Sequence, residues 1–242
     1  MTENELRLAI CQIGRRMYDS GFVAANDGNI SVRLNTGEFL TTPTGVSKGF
    51  MTPDMLLTVD REGNIVAAEG SWRPSSELKM HLKVYEERPD VQAVVHAHPP
   101  YATTFAIART PLNKPLIAEA VAMLGCVPVA EYGTPSTQEV PNAVAPYLEH
   151  FDAVLLANHG ALAWGDSLTA AYHKLESVEF YAKITFLSLQ MGKPVELSAT
   201  QIEALYEIRE KAGTAGRHPG KICRQSCNLQ CGRKYPDNQD RL

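Results

Sequence analysis

The sequence has no apolar run long enough to cross a membrane, and its first residues are acidic, so we expect neither a membrane span nor a signal peptide. It also lacks a basic block. The 23 lysines and arginines are outnumbered by 27 acidic residues, for a net charge of -4, which argues against a nucleic-acid partner. A Walker loop, a dinucleotide fingerprint and a nucleophile elbow are all absent from the sequence.

Cysteine is scarce, and the number of cysteines is odd: Cys11, Cys126, Cys223, Cys227 and Cys231. Such a set argues against a disulfide framework and favours a reducing, cytoplasmic location. The last three are spaced four residues apart, which on a helix would form one stripe able to hold a metal. However, the segment 213–242 is rich in Gly, Pro, Arg and Asn and lacks apolar periodicity. We therefore predict that it is a mobile C-terminal tail.

The rest of the chain has the composition of a globular protein, with 44% hydrophobic and 21% charged residues over a total of 242. Turn signals at 35–37 and 60–63 separate short β-prone runs, which predicts antiparallel hairpins in the first third. Apolar runs at 91–97 and 153–160 alternate with amphipathic helical segments. The pattern predicts one α/β domain, residues 1–212, with a mixed, partly antiparallel sheet.

Two histidines, His96 and His98, end the first of these apolar runs. Residues two apart on a strand point to the same side, so both imidazoles are predicted to reach a single metal ion. A third, His159, ends the second run. Three imidazoles are typical of catalytic zinc, since they leave one position open for water or substrate. The simpler interpretation, an ordinary core or surface histidine, is assigned to the others: His81, His150, His173 and His218.

A second candidate feature is Ser75-Ser76-Glu77, at the predicted start of a helix that runs to about Glu87. Serines at such a position usually serve as N-caps. The hydroxyls and unpaired N–H groups of a helix N-terminus also suit a phosphate. Glu77, predicted in the first turn, either complements the helix dipole or acts beside the metal as ligand or general base.

Two polar turns, 26–29 and 41–45, precede these features. Each alone is an ordinary turn. Together they offer hydroxyls, amides and glycine N–H groups, which are the groups that cradle a phosphate.

Five short motifs occur in one order along the chain: Gly28–Ser31, Thr42–Gly45, Pro74–Glu77, Val95–His98 and Asn158–Gly160. In this order the chain resembles the class II aldolase/adducin family, and within it the fuculose-phosphate aldolases, from Leu6 to about Leu205. The resemblance implies a three-layer α/β/α sandwich around a central mixed, largely antiparallel sheet. It also implies C4 homotetramers with active sites between subunits.

The resemblance further implies that His96, His98 and His159 hold a divalent metal, zinc first, with manganese or cobalt as alternatives. Glu77 would ligate the resting metal and then act as the catalytic acid/base. The substrate phosphate would be held by Gly28, Asn29, Thr44, Gly45, Ser75 and Ser76. The implied reaction is the reversible cleavage of a ketose 1-phosphate into dihydroxyacetone phosphate and an aldehyde.

One departure concerns the aldehyde end of the site. Fuculose-phosphate aldolases supply a tyrosine from the neighbouring subunit in the stretch that matches 116–122, where this chain has none. Glu119 and Tyr235 are the candidate replacements. The aldehyde is therefore left open among those from fuculose, 5-deoxyribulose and 5-methylthioribulose 1-phosphate.

Three alternatives to an aldolase share parts of this pattern. Pentulose-phosphate 4-epimerases of the family typically carry Asp where this chain has Glu77, which favours the aldolase. A methylthioribulose 1-phosphate dehydratase would eliminate water instead of breaking a carbon–carbon bond. A non-enzymatic, adducin-like module lacks the three histidines present here.

Overall fold

A computed structural model describes residues 1–220. Cys223, Cys227, Cys231 and Tyr235, which carry sequence-based hypotheses, lie outside the described residues. Within 1–220 the elements are α1 (Glu3–Asp19), β1 (Asn29–Arg33), β2 (Phe39–Thr41), β3 (Leu57–Val59), β4 (Ile65–Ala67), α2 (Leu78–Glu87), β5 (Ala93–Ala97), α3 (Pro100–Ile107), α4 (Ala118–Met123), β6 (Val129–Ala130), α5 (Glu139–Val144), β7 (Ala153–Leu156), β8 (Gly160–Gly165), α6 (Leu168–Gln190) and α7 (Ala199–Lys211). Short 3-10 turns occupy Lys48–Phe50, Pro53–Met55 and Ala145–Tyr147.

The strands form one eight-stranded sheet in the order β4-β3-β2-β1-β5-β8-β7-β6. The β6–β7 pair is parallel, and the other six pairings are antiparallel. Two apolar cores cover its faces, one built with α1, α3 and α6 and the other with α2 and α5. The predicted three-layer α/β/α sandwich with a mixed, largely antiparallel sheet is confirmed.

The β7–β8 hairpin departs from the prediction. The sequence predicts one strand over 153–160, but β7 ends at Leu156, a turn carries His159, and a second strand begins at Gly160. Every residue of β8 is buried, so the strand lacks the polar alternation that marks a half-exposed one. A Cβ on Gly160 would collide with the main-chain oxygen of Ala97, so the close pairing of β5 with β8 requires glycine at this position.

The start of α2 also differs from the prediction. The helix begins at Leu78, and Glu77 is its N-cap residue instead of a member of the first turn. The preceding chain is extended because Pro74 pairs with Pro43 in an isolated β-bridge and Thr44 N donates to Arg73 O at 2.9 Å. This bridge brings the turn that follows β2 to the start of α2.

The last described residues lie against the domain. Arg217 N donates to Asp152 Oδ2 at 2.8 Å, and His218 Nε2 is 2.7 Å from Val121 O. The boundary at residue 212 between the domain and a tail stays a prediction. Over residues 1–220, no helix has both the length and the apolar character needed to span a bilayer.

Candidate metal and phosphate site

Three histidines converge at one edge of the central strands. His96 lies in β5, His98 directly follows that strand, and His159 lies in the turn between β7 and β8. One ring nitrogen from each falls within 4.8 Å of the others. The predicted cluster is therefore assembled by the antiparallel pairing of β5 with β8, which sets the end of β5 beside the β7–β8 turn.

The orientation of the rings argues for a cation between them. His96 Nδ1 lies 2.9 Å from Ala161 O, and His98 Nδ1 lies 3.2 Å from Asp27 Oδ2. Each Nδ1 therefore carries the proton, which leaves both Nε2 atoms as lone-pair donors, 3.1 Å apart. Two imidazole nitrogens bound tetrahedrally at zinc distances are about 3.3 Å apart. The residues present fit a divalent metal.

Burial keeps these rings neutral. It lowers the pKa of His96 well below 6.5, against the opposing effect of the Glu77 carboxylate. It also lowers the pKa of His98, where Asp27 and Glu77 act in the opposite direction. Neutral imidazoles are the form that ligates metals, so the pair is ready to bind at neutral pH.

Glu77 lies against the same cluster. Its Oε1 is 2.8 Å from His159 Nε2, and its Oε2 is 3.5 Å from His96 Nε2. Burial alone would raise the pKa of this carboxyl, but the electrostatic interaction with the three histidines and the hydrogen bond with His159 lower it to about 2. Glu77 is therefore a carboxylate at neutral pH, placed as a fourth ligand or as a base.

Asn29 joins the carboxylate to the predicted phosphate residues. It is the β-sheet partner of His96, and its amide nitrogen donates to Glu77 Oε2 at 3.3 Å and to Ser75 Oγ at 3.2 Å. Gly28 precedes it with a φ of +74°, and a Cβ there would lie 2.8 Å from His96 O. This position therefore favours glycine both for conformation and for space.

The other predicted phosphate residues lie in the turn after β2 and just before α2. Thr44 and Gly45 are exposed in the turn tied to Arg73, and a Cβ on Gly45 would meet nothing within 4 Å. Ser75 Oγ accepts from Glu77 N at 3.3 Å. The turn after β2 is thus tied to Arg73 and Pro74, while Ser75 and Glu77 contact Asn29, so the segments that the sequence analysis assigned separately are connected to one another.

Two residues at this site were not singled out from the sequence. Asp27 orients His98, and its only signal was membership of the polar turn 26–29. Ser136 hydrogen-bonds through its Oγ to Ser76 Oγ at 2.6 Å and adopts a φ of +71°. Because 60 residues separate the two serines, only the tertiary structure shows their contact.

Glu119, the candidate replacement for the missing tyrosine, lies elsewhere. It is on α4 and lines a largely apolar cleft of about 450 Å³ with Met123, Phe180 and Tyr181. None of the lining residues of this cleft belongs to the histidine cluster. A role for Glu119 at the aldehyde end of a neighbouring copy's site stays a prediction.

The chain is similar to several characterised proteins. The family described as Class II Aldolase and Adducin N-terminal domain matches residues 8–186. A 5-methylthioribulose-1-phosphate/5-deoxyribulose-1-phosphate aldolase of Rhodospirillum rubrum is 34% identical over 88% of this chain and 95% of its own length. A 3-oxo-tetronate 4-phosphate decarboxylase of Haemophilus influenzae is 32% identical over 85% of this chain and 98% of the relative.

A solved L-fuculose 1-phosphate aldolase superposes with a TM-score of 0.78, at 34% identity, over 87% of this chain and 98% of its own. The family match, the identity over nearly the whole length of these relatives and the shared fold agree with one another. The chain belongs to the class II aldolase/adducin family.

Proposed function

We propose that this protein is a metal-dependent aldolase that cleaves a ketose 1-phosphate reversibly into dihydroxyacetone phosphate and an aldehyde. The observation that carries the proposal is the contact of Glu77 with both His159 and Asn29, which links the histidine cluster to the phosphate residues. An acid/base group in this position would lie next to the reacting carbons of a substrate whose phosphate is bound beside Asn29.

The chain divides the chemistry among its own residues. Gly28, Asn29, Thr44, Gly45, Ser75 and Ser76 bind the phosphate and so fix the position of the neighbouring carbons. A divalent metal held by the three imidazoles would supply Lewis-acid stabilisation of negative charge on the substrate oxygens. A base takes the proton of the C4 hydroxyl as the C3–C4 bond breaks, so C4 leaves as the aldehyde and the bonding electrons form the enediolate. A proton carried by Glu77 at this stage then passes to C3, which leaves Glu77 as the carboxylate. In the synthetic direction Glu77 removes that proton.

The metal is proposed to be zinc, with manganese or cobalt as alternatives. All three ring ligands are nitrogens, and such a set accepts each of these ions. The hydrogen bonds that the two Nδ1 atoms donate to Ala161 O and Asp27 Oδ2 support this role, since ligating histidines are commonly oriented in this way.

The proposal extends to assembly and location. A C4 homotetramer would bring a neighbouring residue to the aldehyde end, with Glu119 as the candidate. The apolar cleft beside Glu119, where Phe180 is 58% exposed, supports an interface on this face. The odd number of cysteines in the sequence supports a reducing, cytoplasmic environment.

A second candidate is decarboxylation of a 3-oxo acid phosphate, favoured by the Haemophilus relative. Loss of CO2 from such a substrate leaves the same enediolate for Glu77 to protonate. No base is then needed for a C4 hydroxyl, which matches the absence of tyrosine from 116–122.

The test is to offer the metal-loaded protein a panel of ketose 1-phosphates and a 3-oxo-tetronate 4-phosphate, and to measure dihydroxyacetone phosphate, aldehyde and CO2 together. The aldolase proposal predicts equal amounts of dihydroxyacetone phosphate and aldehyde. Equimolar CO2 without aldehyde would establish the decarboxylase. An epimerised substrate or a dehydrated product would favour the epimerase or the dehydratase, and failure to bind metal would favour the adducin-like module.

A further inference from the structure

A buried lysine, Lys48, lies close to the site but belongs to neither the metal ligands nor the predicted phosphate residues. Lys48 is only 1% exposed, and its ammonium donates to two main-chain oxygens, Asn26 O at 3.0 Å and Val46 O at 2.7 Å. Over the described residues 1–220, no carboxylate oxygen lies within 4.0 Å of it. The charge is therefore held by neutral dipoles alone.

Such an arrangement opposes folding. A buried charge without a counterion costs several kcal/mol, and an apolar side chain of similar length would fill the space without that cost. Burial lowers the pKa of Lys48 to about 8, while the carboxylates of Asp27 and Glu77 raise it. The amine thus remains mostly protonated at neutral pH and lies in the field of the two acidic groups of the site.

The two oxygens that Lys48 contacts identify what it connects. Asn26 lies two residues before Gly28, and Val46 directly follows Gly45. One ammonium therefore joins the two loops that carry the predicted phosphate residues. These loops are far apart along the chain, and both glycines adopt positive φ, +74° and +76°.

A second buried lysine provides a contrast. Lys174 Nζ lies 2.6 Å from Asp152 Oδ2 and also donates to Trp164 O at 3.2 Å, near the end of β8 that lies away from His159. The Asp152 carboxylate neutralises its charge, and the pair has a structural role in the domain. Lys48 has no such neutralisation, so its charge remains available to an anion.

We propose that Lys48 is a positioning residue for the phosphate of the substrate: it holds the loops 26–29 and 44–46 together and places behind them a positive charge that is in contact only with main-chain oxygens. The inference rests on the proposed function. Phosphate is the anion that both loops are suited to bind, and a fixed charge raises local anion concentration most where water is excluded.

The test compares Lys48→Met with Lys174→Met, two buried lysines replaced by the same neutral side chain, in the metal-loaded protein. Calorimetry with inorganic phosphate is expected to show binding weakened by about tenfold or more for Lys48→Met. The KM for the phosphorylated substrate is expected to rise in parallel, with kcat within about threefold of wild type and metal content unchanged. Lys174→Met should lower Tm and leave phosphate affinity unchanged.

A further variant, Lys48→Gln, guards against loss of folding, since its amide can still donate to the main-chain oxygens while carrying no charge. It is expected to lose phosphate affinity as well. Unchanged phosphate binding in folded Lys48→Met or Lys48→Gln, beside clear binding by wild type, would overturn the inference alone. Phosphate binding that depends on Lys48, without turnover of any substrate in the panel, would instead count against the proposed function. Absence of binding by wild type would overturn both.

Discussion

Asp27 offers a sensitive test of the metal centre, because it acts on the metal only through His98. Its Oδ2 lies 3.2 Å from His98 Nδ1, and its side chain is 42% exposed. Replacing Asp27 by Ala removes the acceptor that fixes the ring and its tautomer. Loss of such a partner typically weakens metal affinity by about 10- to 100-fold.

The effect on stability follows from mass action. With metal at 100 times Kd, binding stabilises the wild type by about 2.7 kcal/mol. A 10- to 100-fold rise in Kd at the same metal concentration reduces this to about 1.4–0.4 kcal/mol. For a chain of this size, 1 kcal/mol moves Tm by about 2–4 °C. The metal-dependent rise in Tm should therefore be roughly 5–10 °C for wild type and about 1–5 °C for Asp27→Ala.

The assay is calorimetric unfolding with zinc and with chelator, together with metal analysis of the purified protein. Asp19→Ala is the matched control, since Asp19 is 54% exposed and its ion pair within residues 1–220 is with the surface residue Arg15. Its metal-dependent shift should equal that of wild type. A full shift in Asp27→Ala would refute the assignment of Asp27 and of the His98 tautomer.

Three further predictions concern stability. Between pH 8 and 10.5 the unfolded chain binds the Lys48 proton more tightly than the folded protein does, so the free energy of unfolding, measured in urea, should rise with pH by about 3 kcal/mol more in wild type than in Lys48→Met. The same pH dependence in both proteins would contradict the burial of Lys48. Asp152→Ala should cost about 3–5 kcal/mol by the same method, because the buried Lys174 loses its carboxylate partner and the buried Arg88 keeps only Asp90; a loss below 1 kcal/mol would count against it. Gly28→Ala should lower Tm and weaken phosphate binding, since its Cβ would press on a carbonyl of β5; wild-type values for both would refute the close approach.

Sequence patterns predicted the features that depend on neighbours along the chain. The two-residue spacing of His96 and His98 indicated a shared face, and both nitrogens do meet. The fold class followed from short β-prone runs and amphipathic helices. The Ser75–Glu77 segment was identified, although its helix begins at Leu78, because the β-bridge at Pro74 keeps the preceding chain extended.

Features that arise from the crossing of distant segments were not predictable. Strand β8 has no alternation because both of its faces are buried, and the sequence predicted only one strand here, over 153–160. No sequence pattern distinguishes Lys48 from the exposed lysines, so its burial was not predicted. The contact between Ser76 and Ser136 spans 60 residues and needs the packing of α2 against α5.

Hydrogen exchange at C3 of dihydroxyacetone phosphate tests the central claim most directly, because it needs no aldehyde and isolates the step assigned to Glu77. The metal-loaded protein is incubated with dihydroxyacetone phosphate in D2O, and proton NMR follows the hydroxymethyl carbon. Wild type is expected to exchange one hydrogen there, and Glu77→Gln with its metal retained is expected to exchange none. Absence of exchange in the metal-loaded wild type, or exchange at an undiminished rate in Glu77→Gln, would contradict the account.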